Sequence, residues 1–195
     1  MIEELNKRIN IILGSGSPRR MELLQSLGLK FRVVSPTFDE SYPDELPSKD
    51  VAEYLAKKKA LAFPMLEPKE LLITADTIVT YEQGILGKPE NEPHAIEMLE
   101  KLSGKTHSVI TGVCLKTPST STCFTTETKV TFDNISKSDI LFYVQNYKPF
   151  DKAGAYGIQE WFGLVAVKHI EGSYFNVMGL PVQQLYMKLI QFVNQ

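Results

Sequence analysis

The chain is short of the residues that staple a fold or ligate a metal. It has two cysteines and three histidines in 195 residues, and no set of them has the close paired spacing of a zinc site. His94, His107 and His169 stand singly and read as surface or satisfied core residues. Cys114 and Cys123 flank Pro118 and could face each other across a hairpin, but a reducing compartment makes free thiols the expectation. No stretch approaches the roughly 20 apolar residues of a membrane span, and the opening MIEELNKRIN lacks a signal-peptide core, which points to the cytosol. An excess of one charge is missing too. With 21 basic against 23 acidic residues, neither nucleic acid nor an anionic membrane is an expected partner. Two nucleotide signatures are also absent: Arg19 replaces the third glycine of the dinucleotide fingerprint, and no Gly-Lys-Ser/Thr follows.

What is present begins with IILGSGSPRRMELL, from Ile11 to Leu24. The pattern predicts a strand from Arg8 to Leu13, a tight turn at Gly14 and Gly16, and a helix with Ser17 as N-cap and Pro18 in its first position. Met21, Leu23, Leu24 and Leu27 supply the buried face, and Gly28 ends the helix. Such a junction aims backbone N–H groups and the positive end of the helix dipole at one spot, ringed by Ser15, Ser17, Arg19 and Arg20. The spot favours an anion; the plainer alternative is an ordinary capped helix with two solvated arginines.

Phe31 to Ser35 completes a parallel β-α-β unit, and the proline-rich loop from Pro36 to Pro47 carries Asp39 and Glu40. Acids just after such a strand are either solvated or stand where a hard cation could be held. A helix is expected from Ser48 to about Phe63, with Val51, Leu55 and Ala62 on one face and Lys57, Lys58 and Lys59 in its last turns. Those lysines either complement the helix dipole or, since Lys58 and Lys59 border the apolar stripe, reach a ligand. Leu71 to Tyr81 reads as an apolar strand interrupted by Asp76 and Thr77. Burying an unpaired carboxylate is costly, so Asp76 is either tied into structure or, as the polar pair favours, serves a working site. A Gln83-Gly84 turn then returns Lys88 toward the same end of the sheet.

Further on, a helix is expected over Pro93–Leu102, with Ile96, Leu99 and Leu102 inward. Antiparallel strands follow over His107–Thr117 and Thr122–Phe132, the second near an edge, and then a helix over Ser136–Asn146, with Ile140, Leu141 and Val144 inward. DKAGAYGIQ, from Asp151 to Gln159, is too rich in glycine and alanine for regular structure. Its Gln159 offers a donor and an acceptor to a nucleobase edge, and a plain surface turn is the alternative. A strand over Leu164–Ile170, a loop over Ser173–Pro181 and a last helix over Val182–Val193 complete the reading.

GSGSPRR followed by ELL, ADTIV, GKP, KLSGKTHSVITGV, DKAGAYGIQ and NVMGLP, in this order and spacing, resemble the Maf family of nucleoside triphosphate pyrophosphatases over nearly the whole chain. The resemblance implies one α/β domain over residues 1–195: an elongated mixed β-sheet flanked by helices, in two lobes with a cleft between them, similar to inosine triphosphatases. It implies hydrolysis between the α and β phosphates, giving the monophosphate and pyrophosphate, in a nucleotide-pool sanitising role with Mg²⁺ or Mn²⁺ as cofactor. By the same resemblance Asp76 is the proton acceptor, and an acid at the place of Asp39 helps with the metal; that Asp76 holds the metal together with Asp39 is a further expectation. Ser15, Arg20, Lys59 and Lys88 lie around the phosphates. Arg19, Thr77 and Gln159 follow the branch that cleaves dTTP and UTP, with CTP or modified pyrimidines as further candidates. The family's other readings are a 7-methyl-GTP pyrophosphatase, which carries tryptophan in place of Arg19, and a non-catalytic regulator of cell division, which would have no need of Asp76. A homodimer is what the family suggests. The chain departs from the family pattern at Gly14, Gly112, Glu160 and Trp161.

Overall fold

In the computed structural model all residues are described except 1, 36, 83, 194 and 195, together with the side chains of 192 and 193. Ile12, Leu13, Leu24, Leu72 and Ile73 lose all contact with solvent, and the first third of the chain folds around them. β1 (Asn10–Leu13) runs parallel to β2 (Phe31–Val33) and to β3 (Glu70–Tyr81), with Ile12 opposite Arg32 on one side and Leu72 on the other. The crossover between β1 and β2 is α2 (Pro18–Ser26), and Gly28 at φ 75° stops it as expected. Ser17 occupies the N-cap position without a side-chain cap bond. The buried face differs from the expectation: Arg20, Leu23 and Leu24 are buried, whereas Met21 and Leu27 are only half-buried. Arg8 belongs to α1 (Ile2–Arg8) rather than to the strand. Glu3 and Glu4 in its first turn and Lys7 and Arg8 in its last complement the helix dipole, and Leu5 anchors it.

α3 (Ser48–Ala62) buries Val51, Ala52, Leu55, Ala56 and Ala60. Ala62 is exposed, and Phe63 just beyond the helix takes the inward position. The helix lies against β5 (Thr106–Lys116) so closely that a Cβ at Gly112 would come within 2.4 Å of the carbonyl of Ala52. Thr74 Oγ1 donates to Ala56 O at 2.7 Å, tying the helix to β3.

The sheet has seven strands in the order β2-β1-β3-β5-β6-β7, with β6 at Ser121–Phe132, β7 at Val167–Glu171 and β4 (Gly84–Leu86) antiparallel to β3. β6 therefore lies one strand in from the edge. The turn expected at Gln83-Gly84 falls partly outside the described residues. Cys114 and Cys123, on neighbouring strands, are joined by a disulfide with their Cα atoms 4.1 Å apart. The expectation of free thiols came from the compartment; the strand pairing puts both side chains on one face.

α4 (Glu92–Leu102) is capped by Asn91, whose side chain accepts from His94 N, and buries Ala95, Met98, Leu99 and Leu102, leaving Ile96 half-buried. α5 (Lys137–Tyr147) is capped by Ser136 and buries Tyr143 where Leu141 was expected. α6 (Trp161–Ala166) occupies the start of the expected strand over Leu164–Ile170, and α7 (Tyr174–Met178) lies within the expected loop. α8 (Val182–Val193) ends the chain as expected. Among the described residues no helix is long and apolar enough to cross a membrane.

By contact density the chain divides into two compact units, one of Met1–Asp76, Thr111–Thr126 and Gly179–Gln195, the other of Thr77–Ile110 and Glu127–Met178. The second has an aromatic core, in which His107, Tyr156 and Phe162 meet Phe132 edge-on, with centroids 4.7 to 5.4 Å apart.

Candidate active site

In the first unit, the end of β1, the start of α2, the last turn of α3 and the middle of β3 bring charged groups together. Gly14 is held by its N–H to Ile73 O at 2.8 Å, and a Cβ there would stand 2.8 Å from Thr74 Cγ2, so a larger residue would have to displace that methyl group. Ser15 is buried and its Oγ accepts from Arg20 Nη1 at 3.1 Å and from Ser17 N–H at 3.3 Å. Arg20 is itself buried, and its Nε donates to Gly179 O at 2.8 Å. That bond gives the NVMGLP motif a role in holding the arginine, which sequence spacing could not reveal across 159 positions. Arg20 is thus not the solvated arginine of the plainer reading. Arg19, half-buried, adds positive charge beside it.

Lys59 Nζ, on the last turn of α3, meets Asp76 Oδ1 at 2.5 Å, with side-chain exposures of 11% and 16%. It also donates to Ala75 O at 3.3 Å and stands 4.8 Å from the centre of the Phe38 ring, a contact the sequence reading missed. Burial pushes the Lys59 ammonium below its ordinary range against the pull of Asp76, and the nearby Arg20 pushes the same way. Burial likewise lowers Arg20, with Asp76 and Glu40 opposing and Arg19 reinforcing. Asp76 is half-buried rather than sealed into the core.

The adjacent acids Asp39 and Glu40 part company. Asp39 is exposed and both its oxygens are engaged, Oδ1 by Ser41 N–H at 2.9 Å and Oδ2 by Lys58 Nζ at 2.9 Å and by the Ser41 hydroxyl. Those bonds from Ser41 and Lys58 hold its carboxyl far below the usual range. Glu40 is the acid whose charge reaches both Arg20 and Lys59. Mg²⁺ needs only one or two carboxylates when substrate phosphates complete its shell, and Asp76 and Glu40 are carboxylates that share Arg20 and Lys59 as charged neighbours. Among the described residues no group of three or more His, Cys, Asp or Glu forms a closed metal cage.

Thr77, Lys88 and Gln159 belong to the second unit. Thr77 is half-buried on β3, and Lys88 is exposed two residues after β4. Gln159 is exposed at the end of a loop whose preceding residues, Gly154 to Ile158, are buried, so the loop is not a plain surface turn. Gly154 N–H donates to Gly87 O at 3.1 Å, which fastens that loop beside the residue before Lys88.

A family model described as Maf-like protein matches residues 10–192. The dTTP/UTP pyrophosphatase of Phocaeicola vulgatus is 53% identical over 97% of this chain and 98% of its own length. That of Flavobacterium johnsoniae is 48% identical over 99% and 100%. Among solved structures, the Staphylococcus aureus Ham1 protein aligns at a TM-score of 0.49 and 16% identity, covering 92% of this chain and 98% of that one. By the family model and these relatives, the chain belongs to the Maf family.

Proposed function

We propose that this protein is a hydrolase of phosphoric anhydride bonds that cleaves dTTP and UTP to the monophosphate and pyrophosphate. The observation that carries the reading is the half-buried Lys59–Asp76 pair at 2.5 Å, within electrostatic range of the buried Arg20 that Ser15 holds. Two close relatives that carry the dTTP/UTP pyrophosphatase name support the substrate class.

Magnitudes decide how many groups are needed. A helix N-terminus contributes at most about 2 kcal/mol toward an anion, whereas enzymatic rate enhancements require roughly 8 to 23 kcal/mol. The start of α2 therefore orients the phosphates, with Ser15, Ser17, Arg19 and Arg20 as donors, and the buried cations supply the larger part. Lys59 and Arg20 act in a desolvated setting, where a charge stabilises developing negative charge far better than it does in water. The Asp76 carboxylate takes the proton from the water that attacks the α phosphorus, and Lys59 holds that carboxylate in orientation. Lys88 adds positive charge to the phosphate chain, while Thr77 and Gln159 read the base. A divalent cation, Mg²⁺ or Mn²⁺, would be held by Asp76 and, of the two neighbouring acids, Glu40 rather than Asp39; bound there it supplies charge neutralisation on the phosphates.

Pyrophosphate release by the purified protein with Mg²⁺, measured on dTTP, UTP, CTP and 7-methyl-GTP, tests the proposal. Preference for dTTP and UTP is the expected result. No release from any of the four sinks it, and preference for 7-methyl-GTP moves the chain to the other branch.

A further inference from the structure

Gln159 is exposed, yet the chain on both sides of it is held by one carboxylate. Glu160 Oε1 accepts from Lys152 Nζ at 3.0 Å, and Glu160 Oε2 accepts from Tyr143 OH at 2.5 Å. Lys152 has only 9% of its side chain exposed and also meets Asp151 Oδ1 at 2.7 Å. Tyr143 is fully buried on α5, and its oxygen accepts in turn from Gly157 N–H at 3.0 Å. Glu160 N–H returns to Gly157 O at 3.1 Å. Between these anchors Ala155 sits at φ 60°, a left-handed conformation that an alanine keeps only where its surroundings over-determine it. Packing leaves no slack either: a Cβ on Gly157 would stand 2.8 Å from the Glu160 carboxyl carbon, and one on Gly163 would strike Ile158 O at 1.8 Å.

We propose that Glu160 is a positioning residue for base recognition, clamping the segment from Lys152 to Gln159 between Lys152 and Tyr143 so that the Gln159 amide is presented to the pyrimidine in one pose. The inference rests on the reading of Gln159 as a base-contacting residue. A hydrogen bond tolerates only a few tenths of an ångström of misplacement before it weakens, so a loop free to drift loses base binding while the chemistry at the phosphates continues. At a site of this kind, discrimination follows from whether the polar groups meet their partners. Glu160 stands where glycine is frequent in the family pattern, and a glycine has no carboxylate with which to make this clamp.

The test compares Glu160→Ala, Glu160→Gln, Tyr143→Phe and Gln159→Ala for steady-state cleavage of dTTP and dGTP, with a thermal melt of each variant. Glu160→Ala should raise KM for dTTP by about tenfold, the worth of one well-placed hydrogen bond, and move kcat far less. The advantage of dTTP over dGTP should shrink by a similar factor. Glu160→Gln, which keeps an acceptor for the Tyr143 hydroxyl, should recover part of the loss. A residue that only stabilises the fold would lower kcat for both nucleotides equally at unchanged KM, and that pattern overturns the proposal. Should Glu160→Ala not fold, Tyr143→Phe removes one bond of the clamp and should give a smaller rise in KM of the same kind; an unchanged KM there also overturns it. Gln159→Ala separates the two readings. If it leaves KM for dTTP unchanged, the base-contact reading fails; if it raises KM while the clamp variants do not, only the clamp fails.

Discussion

Each unit buries a lysine against a carboxylate, and the two pairs differ in what surrounds them. Lys59 and Asp76, at 11% and 16% exposure, lie among cations: Arg20 and, beside it, Arg19, with Glu40 as the further acid. Lys152 and Glu160, at 9% and 22%, lie among acceptors and neutral donors, with Asp151 as a second carboxylate and the Tyr143 hydroxyl on the remaining oxygen. The first arrangement keeps positive potential where a polyphosphate would bind. The second closes its hydrogen bonds upon itself and holds a loop. Burial of a charged pair therefore does not mark a reactive site by itself; the sign of the surrounding charge tells the two apart.

The comparison breaks most decisively at Asp76. Asp76→Asn should cut pyrophosphate release from dTTP by about 10³-fold, within the range for loss of a proton acceptor, with near-UV circular dichroism unchanged; a rate near wild type would put this pair in the structural class with Lys152. The next largest effect is on stability and belongs to the second unit. His107 is 2% exposed, its Nε2 is 2.7 Å from Tyr156 OH, and burial lowers its pKa from 6.5 to about 4. The unfolded chain takes up that proton near 6.5 and the folded chain only near 4, so the full stability is present above 6.5 and falls as the pH drops toward 4. The slope is about 1.4 kcal/mol per pH unit, read as a fall in the urea midpoint between pH 6.5 and pH 4.5 that His107→Phe should flatten. Lys152→Met should cost about 2 kcal/mol in the same denaturation assay, less than the loss of a fully buried pair because Glu160 retains some solvent. The smallest effect is expected at Lys58, next to Lys59 in sequence but paired with the exposed Asp39. Lys58→Ala should leave the urea midpoint within error and dTTP turnover within about twofold, which sharpens the contrast between the two neighbours.

The sequence showed most where periodicity ran long enough to speak. α2, α3, α4, α5 and α8 span nine to fifteen residues each, and their apolar spacing located them to within a few positions. α1, α6 and α7 have five to seven residues, less than two turns, so the apolar run through Leu164 and Val165 read as strand. Asp76 stood out because a carboxylate inside an apolar strand is conspicuous, whereas periodicity left Lys58 and Lys59 undecided and only the family resemblance singled out Lys59. Local patterning does not choose between the adjacent acids Asp39 and Glu40, since neighbours in an extended segment point to different sides. The clamp on Gln159 was hidden for another reason: Tyr143 and Glu160 are 17 residues apart and belong to different helices or caps.

The close approach at Gly112 turns a silent position into a lever. Ala52 and Glu53, whose backbones touch it, lie about two turns upstream of Lys59 on the same rigid rod. A single methyl group inserted there would meet that backbone at about 2.3 to 2.4 Å, so helix and strand would have to part to admit it. The seat of the rod that carries Lys59 is thus set in part by an atom that is not there.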